Sequence, residues 1–97
     1  MLCIISYDLH GAEKDYQSLY DKIETLGPSY RCSESTILLH TGIDAGLVDS
    51  AIRSVVDDEA TFIVVDITGI DEEKYFGRVP ARAKGDGFWK WLKEHNN

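Results

Sequence analysis

Basic residues are scarce in this sequence. Ten Lys and Arg stand against seventeen Asp and Glu in 97 residues, a formal net charge of −7. A protein that wraps a phosphate backbone usually carries a basic surface, so this balance argues against a nucleic-acid binder that uses its whole face. Cysteine is scarce too. Cys3 and Cys32 are the only two, and their spacing fits no metal motif. They suit either facing positions on paired strands or, in a reducing compartment, free thiols. Long apolar runs are absent, which excludes a membrane helix. The N-terminus has no basic start and no cleavable apolar segment, so no secretion signal is expected and the expected location is the cytoplasm. No internal repeat or low-complexity tract appears.

What the sequence does have is periodicity. Leu2-Cys3-Ile4-Ile5-Ser6-Tyr7-Asp8 is a short apolar run closed by a carboxylate, with His10-Gly11 turning the chain directly after it. Such a run reads as a central strand, buried on both faces or nearly so. An Asp at its end is held on a rigid element near the surface, a position suited to a metal ligand or a general base. The plainer role is to end the strand and accept N–H groups from the next loop.

Asp15 then reads as a helix N-cap. Tyr16, Leu19, Tyr20, Ile23 and Leu26 form one helical face, and Gly27-Pro28 ends the helix. Tyr30-Arg31-Cys32 and Ser35–His40 read as two strand pieces, with a bend or bulge at Ser33-Glu34. Asp44 is a second N-cap. Leu47, Val48, Ala51, Ile52 and Val55 form a second helical face, and Asp57-Asp58-Glu59 belongs in a solvated turn, because acids oppose a helix C-terminus. Thr61–Ile67 is the last strand. From Asp71 to Asp86 the chain reads as an arm, with at most a short strand near Tyr75-Phe76. Phe88–Lys93 is a short helix whose aromatics cannot all face one way.

This order predicts an α+β fold, a ferredoxin-like β-α-β-β-α-β arrangement with an antiparallel sheet and both helices on one face. Residues 1–70 would form the core, and residues 71–97 a C-terminal arm and short helix belonging to the same domain or to a dimer interface. The sheet's other face needs cover from that tail or from a second copy. A small single core also favours pairing, so a two-fold homodimer is expected.

Charge is unevenly spread. Through Ile70 there are four basic residues and twelve acidic ones; from Asp71 onward there are six and five. Phosphate contacts are therefore sought in the C-terminal third, at Arg78, Arg82, Lys84 and Lys90. These cations serve equally well to keep the tail soluble.

Ile5-Ser6-Tyr7-Asp8-Leu9, the helix end Leu26-Gly27 and the run Glu34-Ser35-Thr36-Ile37-Leu38-Leu39 together resemble the small ferredoxin-fold protein of CRISPR adaptation, the dimeric partner of the spacer integrase (the Cas-two family). They resemble its stand-alone relatives more, as does Trp91-Leu92-Lys93. The likeness covers roughly the first two thirds of the chain. It implies a homodimer in which Asp8 lies near the two-fold axis and holds magnesium for phosphodiester hydrolysis, most naturally of RNA. Two carboxylates meeting across an axis make a hard oxygen site, and the ion would activate water there. Tyr7 and Ser35 would supply hydrogen bonds around Asp8, while Ser6 and Thr36 are read as packing and turn residues. One departure stands out. Where nucleic-acid-binding members of the family carry basic residues along the first helix, this chain has Glu13, Asp15, Asp21 and Glu24. The alternative is a non-catalytic acidic interaction module that binds a basic protein partner or mimics nucleic acid. A basic-tailed nucleic-acid scaffold without chemistry is a third reading.

Overall fold

In a computed structural model, residues 1–9, 15–74, 76–77 and 87–96 are described. The elements run β1 (Leu2–Asp8), α1 (Tyr16–Leu26), β2 (Ser29–Ser33), β3 (Thr36–His40), α2 (Ala45–Arg53), β4 (Thr61–Asp66) and α3 (Gly87–Glu94), with one 3-10 turn at Glu72–Lys74. The four strands form a single antiparallel sheet in the order β2-β3-β1-β4. This is an α+β fold, and its strand order puts β1 in the middle as expected.

The alternation along β1 divides the molecule. Cys3, Ile5, Tyr7 and Leu9 point to one face and join Leu19 and Ile23 of α1 and Val48 and Ile52 of α2 in the main core. Full burial of each such aliphatic side chain contributes roughly 1.5–3 kcal/mol. Both helices start where the sequence says. The Asp15 carboxylate accepts the Ser18 N–H and the Asp44 carboxylate accepts the Leu47 N–H, each at 2.9 Å. The acidic Asp57-Asp58-Glu59 stretch is a turn in which the Asp57 carboxylate accepts the backbone N–H groups of Glu59 and Ala60.

The opposite face is built differently. Leu2 of β1 and Leu38 of β3 are covered by Phe88 and Leu92 of α3. The tail therefore covers one end of this face, with Trp89 and Trp91 half-buried at its margins. Among the described residues no such lid lies over β4, where Ile63 and Val65 are 59% and 41% exposed.

Several local expectations shift. Leu47, expected in the core, is exposed, because the α2 face that meets the sheet is centred on Val48 and Ile52. Ser35 stands in the turn between β2 and β3 rather than in the strand, and the ladder irregularity lies between Arg31 and Ser33. Cys3 and Cys32 do not face each other: β3 separates their strands, and they belong to different cores. Neither forms a disulfide. Phe76 lies in no strand and is exposed, while Tyr75 and most of the arm lie outside the described residues.

Candidate functional site

The end of β1 opens into a shallow cleft of about 570 Å³. Asp8 sits there, exposed, at the last position of the central strand. Strand pairing fixes its surroundings. On one side Asp8 is opposite Thr61 of β4, whose hydroxyl donates to the Asp8 carbonyl at 3.5 Å. On the other side the β2–β3 turn is tied down, since the Tyr7 N–H donates to the Ser35 carbonyl at 3.0 Å. Ser6, Asp8, Glu34, Ser35 and Thr61 thus line one cleft. Asp8 and Ser35 thus lie at one cleft.

Tyr7 also borders the cleft, but its hydroxyl is engaged elsewhere. The ring is buried under α1 and its hydroxyl shares a 3.1 Å hydrogen bond with that of Tyr20. Burial, with the Tyr20 bond adding to it, pushes the Tyr7 phenol well above its ordinary range. It stays protonated at neutral pH and acts as a spacer between β1 and α1. The Ser6 side chain belongs to the cleft face, since alternate residues of β1 share a face.

Three residues, Glu34, Thr61 and Arg31, carry no functional mark in the sequence. Glu34 brings a second carboxylate to the Asp8 cleft; its only sequence signal is its place just before Ser35-Thr36, at the expected bend. Arg31 is exposed on β2 with its guanidinium 4.6 Å from the centre of the Tyr20 ring. It borders a second cleft of about 470 Å³ between α1 and β2. A guanidinium over an aromatic face can still offer N–H groups to an oxyanion. An arginine inside an acidic half of a chain is the signal that would have found it.

Among the phosphate-contact candidates, Arg78, Arg82 and Lys84 lie outside the described residues. Lys90 is exposed on α3. It is not among the described residues that line the Asp8 cleft.

The Asp8 cleft offers hard oxygen donors: two carboxylates, two serine hydroxyls and a threonine. Magnesium accepts such ligands and keeps most of its waters. Among the described residues, no group of three or more His, Cys, Asp or Glu side chains is placed to share one ion. Among the described residues of one chain, Asp8 and Glu34 are the anionic ligands that line this cleft, and water, substrate phosphate or a second chain would add to them.

Comparison with family models, with curated proteins and with solved structures returns no match to this chain. The Asp8 cleft is therefore read from its own chemistry.

Proposed function

We propose that the chain is a ferredoxin-like homodimer acting as a magnesium-dependent phosphodiesterase, most naturally an endoribonuclease, with Asp8 as the metal ligand at its centre. This follows the resemblance to the small protein of CRISPR adaptation and its stand-alone relatives. One observation carries it. The only carboxylate on β1 stands exposed at the end of the central strand, in an open cleft with Glu34, Ser35 and Thr61. Asp8 would hold the ion. Ser35 and Thr61 would orient its waters, and the ion would polarise the scissile phosphate and lower the pKa of an attacking water. Dimerisation would bring a second Asp8 to the same ion. The site needs no special backbone, only a rigid strand end, and a central strand supplies that. The working location is the cytoplasm. No helix among the described residues is long and apolar enough to cross a membrane.

The test is cleavage of single-stranded RNA with magnesium or manganese by the wild type and by Asp8→Ala. The expected result is metal-dependent cleavage that falls at least about a hundredfold in the variant, while the dimer stays intact. Cleavage by Asp8→Ala at the wild-type rate sinks the reading.

A second reading has its own support. The first 70 residues carry twelve acidic and four basic side chains, a field suited to a basic protein partner or to nucleic-acid mimicry. A partner held that way would dissociate steeply as salt rises, and binding insensitive to salt would exclude it.

A further inference from the structure

At the end of the sheet away from Asp8, two imidazoles meet. His40 closes β3, opposite Leu2 in the ladder. His95 follows α3 directly. Their ring centres are 5.4 Å apart and their planes are inclined by 62°. Both residues are half-buried.

We propose that His40 and His95 form a two-imidazole site for a borderline divalent ion of the zinc, nickel or copper class, which ties the C-terminal helix to the sheet. Three observations carry this. The first is spacing. Two imidazoles on one tetrahedral ion, each nitrogen about 2.0–2.1 Å from the metal, hold their ring centres roughly 5 Å apart. The observed separation of the ring centres is of that size. The second is the state of His95. Its Nδ1 lies 2.8 Å from the Trp91 carbonyl oxygen. A carbonyl only accepts, so Nδ1 carries the hydrogen and the lone pair is on Nε2. That is how protein metal sites prepare a ligating histidine, with the far nitrogen fixed by an oxygen acceptor. The ring is held further by stacking on Trp91, 4.4 Å between centres at 22°. The third is an oxygen. In the residue after His95, the Asn96 side-chain oxygen is buried with no hydrogen-bond partner among the described residues, while its amide nitrogen donates to the Ile70 carbonyl. A buried acceptor left unmatched calls for a water or an ion nearby.

The chemistry of the site differs from that at Asp8. Imidazole selects zinc, nickel or copper over magnesium. Two nitrogens from the chain leave the other positions to water. The ion would join β3 to the residue after α3 and hold the tail over Leu2 and Leu38. Binding to the folded state alone would raise the melting temperature as metal is added.

The experiment is a zinc titration of the full chain followed by NMR of the histidine ring protons. Three histidines are present in the sequence, His10, His40 and His95. The expected result is that His40 and His95 shift together and saturate at one ion per chain, with His10 unmoved and millimolar magnesium without effect. His40→Gln and His95→Gln should each weaken binding about tenfold or more, and Asp8→Asn should leave it unchanged. Shifts confined to His10, shifts spread over surface carboxylates without saturation, or wild-type affinity in both Gln variants would overturn the proposal. Should either variant fold poorly, the wild-type ring shifts decide alone. Nuclease assays play no part, so this site and the Asp8 site stand or fall separately.

Discussion

Cys3 and Cys32 show how one residue type takes two characters in one sheet. Cys3 is fully buried between β1 and the helices. Burial, and after it the nearby Asp66 carboxylate, push its thiol up to about 11. The thiolate is the reactive form, so at pH 8 Cys3 should be inert while the protein is folded. Cys32 is half-buried on the other face. Reaction with a disulfide reagent should show at most one thiol titrating quickly, and a second only in denaturant. Two fast thiols in the native state would contradict the burial of Cys3. Asp15 and Asp66 give a pH dependence of the opposite kind. Hydrogen bonds from Ser18 hold the first carboxyl below its ordinary value of 3.8, and hydrogen bonds from Thr68 do so for the second. The folded state therefore binds their protons less readily than the unfolded chain. Their stabilising contribution is complete above that ordinary value and is lost as pH falls through the lowered ones. A variant with both Asp15→Asn and Asp66→Asn should lose less stability than the wild type between pH 6 and pH 3, measured by urea unfolding at each pH. An equal loss would show that other carboxylates govern acid unfolding.

At the scale of elements, the most constrained point is the end of α1. Gly27 has φ +149°, and a Cβ there would run into the His40 carbonyl. The His40 N–H in turn donates to the Pro28 carbonyl at 2.9 Å. The helix end and the end of β3 are thus fitted backbone to backbone. Gly27→Ala should destabilise the fold by more than about 1 kcal/mol, seen as a lower urea midpoint with an unchanged slope. Gly69→Ala is a useful comparison. Its φ is also positive, +76°, but a Cβ there meets nothing within 4 Å, so its cost is conformational alone and should be smaller. The element boundaries were legible because each carries a local chemical signal. Asp15 and Asp44 cap, Gly27 stops a helix and Thr68-Gly69 ends β4. Burial was less legible, since periodicity names a face but not its centre. Leu47 and Val48 are equally apolar neighbours on α2, and only the sheet's position decides that Val48 is covered. The Asp8 cleft divides in the same way. Asp8 was visible as a strand end, whereas Glu34 and Thr61 reach the cleft through strand pairing that no local pattern announces.

At the scale of the molecule, the described residues cover only half of the sheet's second face. The C-terminal helix takes the Leu2 and Leu38 end, which answers part of the demand that the apolar β1 makes. The other part is Ile63 and Val65, two large aliphatic side chains exposed on edge strand β4 beside Ser6 and Ile4 in the ladder. Asp8, opposite Thr61, belongs to the same face. A two-fold contact over this face would bury the aliphatic pair and bring the two Asp8 clefts toward each other, which is the arrangement a shared magnesium ion requires. Ile63 lines the same cleft as Asp8 and Glu34, so two chains of net charge −7 meeting there would bring carboxylates together, and a bound cation would offset their repulsion. The sharpest test is the double substitution Ile63→Lys with Val65→Lys. Exposed positions cost the monomer little, usually within about 0.5 kcal/mol, so folding should survive with a similar thermal midpoint at low concentration. Sedimentation equilibrium should show the wild type as a dimer and the double variant as a monomer, and the variant should lose metal-dependent cleavage together with its partner. A wild type that sediments as a monomer at every concentration would remove the shared-ion mechanism. A variant that stays dimeric would move the two-fold contact to another face and would separate Asp8 from its counterpart.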